Sequence, residues 1–304
     1  MQLSANMKGA ALMSASMAAF TINDTCLKVL GETLPLFQFL VLRSLGVTIL
    51  LVGVVLAVGA WRQPVSRRDW TLIAIRTVAE VAAAWTFITA LIHMPIANLS
   101  AILQALPLTV TLAAALFLGE PVGWKRFAAI AIGFAGVYLI VRPGGDGFTE
   151  WSVLGLASVV FVTVRDLAAR RLSPDVPSLL VAFSTAAGVL VFSGVGALFT
   201  DWQPMVTADW GLLTGAVLFV MVGYLASVSA MRVGEIGFVA PFRYASLIVA
   251  LILGFLVFGD WPDAMTLVGA SIVVATGLFT LWRERALRRA FAAKQVVKGP
   301  GAAI

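Results

Sequence analysis

Three acid–base pairs stand inside apolar stretches of the chain, each at a spacing of four residues: Asp24 with Lys28, Arg76 with Glu80, and Asp166 with Arg170. On a helix, i and i+4 share a face, so each pair can neutralise itself locally. Arg43 in "FLVLRSLG" and Arg243 in "APFRYASL" are two further cations in apolar surroundings. A charge at the centre of hydrocarbon costs about 2.5–3.5 kcal/mol even on the lenient insertion scale, so such groups are functional suspects unless they can reach a surface. What they could do is bind a polar or π-rich solute, or take up and release a proton during transport.

Depth separates these candidates. Arg243 and Arg76 each lie near the inner end of a span. For Arg243 the distance is roughly 9 Å, within reach of the headgroups. Arg43 is roughly 12 Å from the outer end of its span. Glu80 lies near the midplane, with a side chain too short to reach either face. Asp24, Arg76, Glu80 and Asp166 are therefore candidates for coupling or for structural ion pairs. Arg43 and Arg243 are candidates for solute binding; their structural alternatives are backbone hydrogen bonding for Arg43 and snorkelling for Arg243.

Uncharged polar groups add to the set. Ser100, Gln104, Pro107 and Thr111 follow i, i+4, i+7, i+11, one face of a helix. That face suits a cavity wall, Gln104 above all, and could equally be helix–helix glue. Trp85 lies mid-span, away from the interfacial belts, and Tyr244 adjoins Arg243 within a span. Their rings could stack a flat aromatic solute beside an arginine, although core packing also explains Trp85. Counting Arg43, Arg76, Arg165 and Arg243 against Asp24, Glu80 and Asp166 leaves one net positive charge. That balance leans toward a neutral, anionic or π-rich solute.

Enzyme chemistry finds no foothold. There is no HExxH pair, no GxSxG elbow and no GxxxxGK[ST] loop. Cys26 and His93 are the only cysteine and histidine, so no metal site and no intramolecular disulfide can be assembled. No cofactor is expected.

The elements that must position these groups follow from composition. The 304 residues are 61% hydrophobic and 12% charged, about half the charge of a soluble domain. Runs of about twenty apolar residues recur, each long enough to cross a bilayer core. The class is an all-α integral membrane protein. Gly, Pro and charge punctuation divides it into ten spans, near 8–29, 35–58, 70–92, 96–118, 124–142, 150–171, 176–199, 210–232, 237–258 and 264–283. The basic extension after them fades into a Gly/Pro/Ala tail.

With the N-terminus inside, Lys8, Arg62, Arg67, Arg68, Lys125, Arg126, Arg170, Arg171, Arg232 and the basic tail all fall inside. Glu32, Asp146, Glu150, Asp201, Asp209, Asp260 and Asp263 fall outside, with Arg142 as the clear basic exception and Lys28 at a helix end. This is the positive-inside pattern, with both termini cytoplasmic and the chain expected in the cell inner membrane. The basic charge is then explained by anionic lipid and not by nucleic acid.

The halves also repeat at an offset of about 140–142 residues. Asp24 falls on Asp166, Lys28 on Arg170, Pro35 on Pro177, and "FLGEP" near Glu120 on "VFGDW" near Asp260. Five spans per half is odd, so the second half enters the membrane inverted. The domains are expected at 1–144, 145–283 and, for the tail, 284–304. Inverted repeats place a binding site near the midplane between two bundles that alternate access, which argues for a carrier.

The stretch "PIANLSAILQALPLTVTLAAALFLGEPVGWKRFAAIAIGFAGVYLIVRPG" (Pro95 to Gly144) resembles the end of an EamA-type repeat of the drug/metabolite transporter superfamily. The features that carry it are Pro107, the Gly119–Glu120 pair, the glycine-spaced fifth span ending in "RPG", and Arg43 and Arg76. "APFRYASLIVALILGFLVFGD" carries it in the second half, with Asp260 where the family more often has Glu. The resemblance implies ten helices and transport of a small metabolite. "FTINDTCLK", "AILQALPL" and "APFRYASL" together are most similar to riboflavin-uptake members. An aromatic, vitamin-like solute such as riboflavin is therefore the expected cargo. Export of amino acids, nucleobase-like compounds or drugs is the alternative, and a membrane-embedded enzyme or a channel is the remote one. The expected partners are the solute and membrane lipid, without nucleic acid; a homodimer stays open.

Overall fold

The computed structural model describes residues 5–59, 64–120, 123–143, 149–233 and 235–297. The 144/145 boundary between the halves and the last seven residues of the tail lie outside them. Every described element is helical: α1 (Ala5–Leu30), α2 (Leu36–Val58), α3 (Arg67–His93), α4 (Ile96–Leu103), α5 (Leu106–Leu118), α6 (Trp124–Val141), α7 (Glu150–Arg170), α8 (Ser178–Ala197), α9 (Thr207–Val233), α10 (Ile236–Val239), a 3₁₀ turn (Ala240–Tyr244), α11 (Ala245–Phe258) and α12 (Ala264–Val297). In the described residues nine spans, two of them broken helices, are long and apolar enough to cross a membrane. The 26-residue α1 is long enough as well, but Asn23, Asp24 and Lys28 lower its hydropathy and it is not among the nine.

Local chemistry explains where the helices begin and end. Pro35, Pro95 and Pro177 occupy the cap positions of α2, α4 and α8, where a missing N–H costs nothing. Ser66 opens α3, its hydroxyl accepting from the Asp69 amide at 3.1 Å. Gly119 and Gly259 close α5 and α11 with φ of +67° and +69°, a left-handed turn that glycine enters without steric cost.

The fourth and ninth spans are broken helices. The fourth breaks between Leu103 and Leu106, where Pro107 cannot donate to the preceding turn. The ninth tightens into the 3₁₀ turn around Pro241 before α11 resumes. In the tail, α12 continues without interruption to Val297.

Long-range packing pairs α1 with α9, α3 with α7, α2 with α8 and α6 with α12. The α6–α12 contact is close. A Cβ at Gly136 would come 2.8 Å from the Gly269 carbonyl, and one at Gly269 would come 2.6 Å from the Gly136 carbonyl. Small residues here bring the backbones together. The main apolar core draws on Leu27, Phe39, Leu91, Ile102 and Leu108. Exposed Leu56, Ile132, Leu225 and Leu256 coat the outside with apolar surface.

Candidate functional site

The polar groups of the spans converge on one cluster. On α1, Phe20, Asn23 and Asp24 follow i, i+3, i+4 and share a face. Asn23, only 3% exposed, accepts from Nε of Arg43 on α2 at 3.1 Å and donates to Asp24 at 2.8 Å. Glu80 on α3 accepts from Nη1 of Arg165 on α7 at 2.9 Å, and Arg165 also pairs with its neighbour Asp166 at 2.9 Å. Arg76 donates to Thr185 on α8. Tyr224 of α9 interacts electrostatically with Glu80, Arg165, Arg43 and Arg76, so six helices contribute to one neighbourhood. In a low-dielectric interior such a network is strong when its members are satisfied.

One member is not satisfied. Arg43 has no carboxylate within 4 Å in the described residues, and its two terminal amines have no hydrogen-bond partner there. Asp24 and Glu80 act on it only through longer-range attraction. A planar cation with free donors can receive an acceptor edge or an aromatic face.

The local pairings expected from spacing are not the ones formed. Glu80 pairs with Arg165 and not with Arg76. Asp166 pairs with Arg165, while Arg170 reaches Glu120 at 3.2 Å. Lys28 leaves Asp24 to donate to the carbonyls of Leu91 and Met94 at 3.0 and 2.8 Å. Those carbonyls end α3, where the helix dipole attracts a cation. In the Arg76–Glu80 pair the base precedes the acid, the weaker order on a helix, and Arg165 approaches from a packed neighbour.

The remaining candidates scatter. Gln104 is buried at the break of the fourth span and donates to Ser246 of α11 at 3.0 Å, joining the two broken spans. Thr111 bonds back to the Pro107 carbonyl within its own helix. Arg243 is exposed in the 3₁₀ turn and no contact ties it to the cluster. Within the cluster itself, the three cations Arg43, Arg76 and Arg165 stand against Asp24, Glu80 and Asp166. Trp85 is 40% exposed and hydrogen-bonds to the cluster nowhere. Tyr244 is buried against Gly277, its hydroxyl unpartnered in the described residues; it belongs to the packing of the 3₁₀ turn against α12.

Sequence reasoning missed Asn23, Phe20, Tyr224 and Thr185. The spacing of Phe20 and Asn23 from Asp24 would have revealed the first two. Tyr224 carries no charge, so charge patterning passed over it, although its position within α9, away from both ends, could have marked it.

Hydrogen bonds also close both ends of the bundle. Gln38 at the start of α2 exchanges two bonds of 2.8 Å with the backbone of Gln203 before α9. At the other end Asp69 of α3 accepts from the amide and hydroxyl of Ser173 before α8 at 3.1 Å. No group of three or more metal-ligating residues occurs in the described residues.

Comparison with known proteins agrees with a transporter. A riboflavin transporter of Vibrio cholerae is 32% identical over 232 residues, 75% of this chain and 77% of that protein. A pseudopaline exporter of Pseudomonas aeruginosa is 25% identical over 257 residues, 84% of this chain and 89% of the other. A solved crystal structure shares the fold with a TM-score of 0.60, at 18% identity over 90% of this chain and 96% of that one. Residues 7–142 and 149–282 each match the family described as EamA-like transporter family. The protein is thus a multi-pass membrane transporter and not an enzyme, and the chain belongs to the EamA-like transporter family.

Proposed function

We propose that the chain is a secondary carrier that takes up riboflavin, or a closely similar flat vitamin, across the cell inner membrane by alternating access. The observation that carries the reading is Arg43, held by Asn23 within a charge-balanced cluster of six helices with its terminal amines unpartnered. A solute with carbonyl acceptors on a planar ring fits those donors without requiring a counter-ion. The similarity to the Vibrio cholerae riboflavin transporter supports the same cargo.

Ten spans arranged as two inverted five-helix repeats, 1–144 and 145–283, followed by the tail 284–304, supply the mechanism. The helix pairing supports this. Exchanging first-half helices for their second-half counterparts turns α1·α9 into α7·α3 and leaves α2·α8 and α6·α12 unchanged, as a two-fold relation requires. The breaks at Gln104 and Tyr244, and the left-handed closures at Gly119 and Gly259, recur at an offset of 140 residues. The Gln38–Gln203 and Asp69–Ser173 contacts then lie at opposite membrane faces and would open in turn, with both termini in the cytoplasm.

Counterflow in proteoliposomes tests the reading. Vesicles preloaded with riboflavin should accumulate labelled riboflavin, with little competition from amino acids. Accumulation of amino acids or drugs in its place would overturn the cargo. A second reading, export, is favoured by the similarity to the Pseudomonas aeruginosa pseudopaline exporter.

A further inference from the structure

The mechanism so far uses the charges of the cluster and leaves its aromatic members idle. Tyr224 stands in the middle of α9, far from the helix ends where membrane tyrosines usually anchor. It is 50% exposed, yet it shares an electrostatic neighbourhood with Glu80, Arg165, Arg43 and Arg76. Tyr224 therefore keeps free surface close to the charged groups of the cluster.

Phe20 fixes the other wall. Its ring meets that of Tyr224 edge-on, centroids 5.4 Å apart and planes at 84°, within the favoured range for aromatic pairs. Two contacts hold α1 against α9 at this level. Ser16 donates to the Gly223 carbonyl at 2.7 Å. Gly223 has no side chain, and a Cβ there would come 2.7 Å from the Phe20 ring. Phe20 also lies one turn below Asp24 and three residues before Asn23, the partner of Arg43.

Resting on the riboflavin reading, we infer that Phe20 and Tyr224 form a ring-binding sub-site that selects flat heteroaromatic solutes, with Arg43 receiving the solute's carbonyl edge. One face of the solute stacks on Tyr224, Phe20 limits its travel along α1, and the guanidinium donates to the ring carbonyls. A solute lacking a ring would leave both aromatic surfaces wet and is rejected by that difference.

The test uses the purified full chain with riboflavin and lumiflavin, which keeps the flavin ring without the ribityl tail. Stacking on a phenol, an electron donor to the excited flavin, should quench flavin emission in the wild type. Tyr224→Phe keeps the ring and should bind within about twofold while losing most of the quenching. A purely structural tyrosine would not produce that split. Tyr224→Leu and Phe20→Leu should each raise KM for riboflavin roughly tenfold and abolish competition by lumiflavin. Riboflavin counterflow with unchanged KM and unchanged lumiflavin competition in both leucine variants overturns the sub-site and leaves the riboflavin reading standing. Absence of riboflavin counterflow in the wild type overturns the cargo; lumiflavin quenching that Tyr224→Phe removes would still support the sub-site. Absence of quenching in the wild type overturns the sub-site.

Discussion

Oε2 of Glu80 and Nη1 of Arg165 lie 2.9 Å apart across the α3–α7 contact, joining residues 85 positions apart in sequence. Arg165 turns its other side to Asp166, so one guanidinium serves two carboxylates between two helices that differ in repeat.

Glu80→Gln should therefore damage the bundle as well as transport. A lost hydrogen bond to a charged group costs about 1.5–3 kcal/mol, which thermal unfolding in detergent would register as a lower melting temperature. The charge-swapped double variant Glu80→Arg/Arg165→Glu should recover part of that loss. Equal stability of wild type and Glu80→Gln would remove the pair from the architecture.

Asp24 differs from Glu80, because its hydrogen bond comes from the amide of Asn23 and no cation lies within 4 Å in the described residues. Asp24→Asn should abolish any acceleration of uptake by an inward proton gradient while retaining counterflow. A gradient response surviving in Asp24→Asn would clear this residue of coupling.

The Gln104–Ser246 bond ties the two broken spans together. Interhelical hydrogen bonds in membranes are worth about 0.6 kcal/mol on average and up to about 1.7. Ser246→Ala should lower stability within that range, measured by the same unfolding assay. A larger fall would point to packing and not to this bond.

At the α6–α12 crossing, Gly136→Leu should cost at least the 1–3 kcal/mol typical of overpacking, because the obstacle is the Gly269 backbone, which cannot rotate aside. Yield of monodisperse protein reports the effect. Gly53→Leu, with nothing within 4 Å of its Cβ position, is the control and should be tolerated.

Asp263 precedes α12 and accepts from the Thr266 amide at 2.8 Å. That bond, with the smaller help of Arg142, holds its carboxyl below the ordinary 3.8. A depressed value means the stabilisation is complete above about pH 3.8 and fades as pH falls through the folded-state value. Asp263→Ala should cost about 1 kcal/mol at neutral pH, the usual worth of such a cap. The gap between variant and wild type should narrow only in strong acid; a gap already closing at pH 6 would assign it to another group.

Read alone, the chain declared its class, because hydrocarbon tolerates so few polar residues that spans and their charged exceptions stand out by composition. Turn residues behaved likewise: Pro35, Pro177, Gly119 and Gly259 act on neighbouring backbone and need no tertiary partner. Asp24, Arg43, Arg76, Glu80 and Asp166 were recognisable as buried charges for the same reason. Their partners were not. A four-residue spacing makes a pair geometrically available, but Arg165 reached Glu80 from α7 and the carbonyls ending α3 drew Lys28 away from Asp24. Tyr224 and Phe20 became neighbours only because Gly223 let α9 close on α1. Periodicity along one helix says which face a residue occupies; which other helix lies against that face is set by packing over the whole bundle.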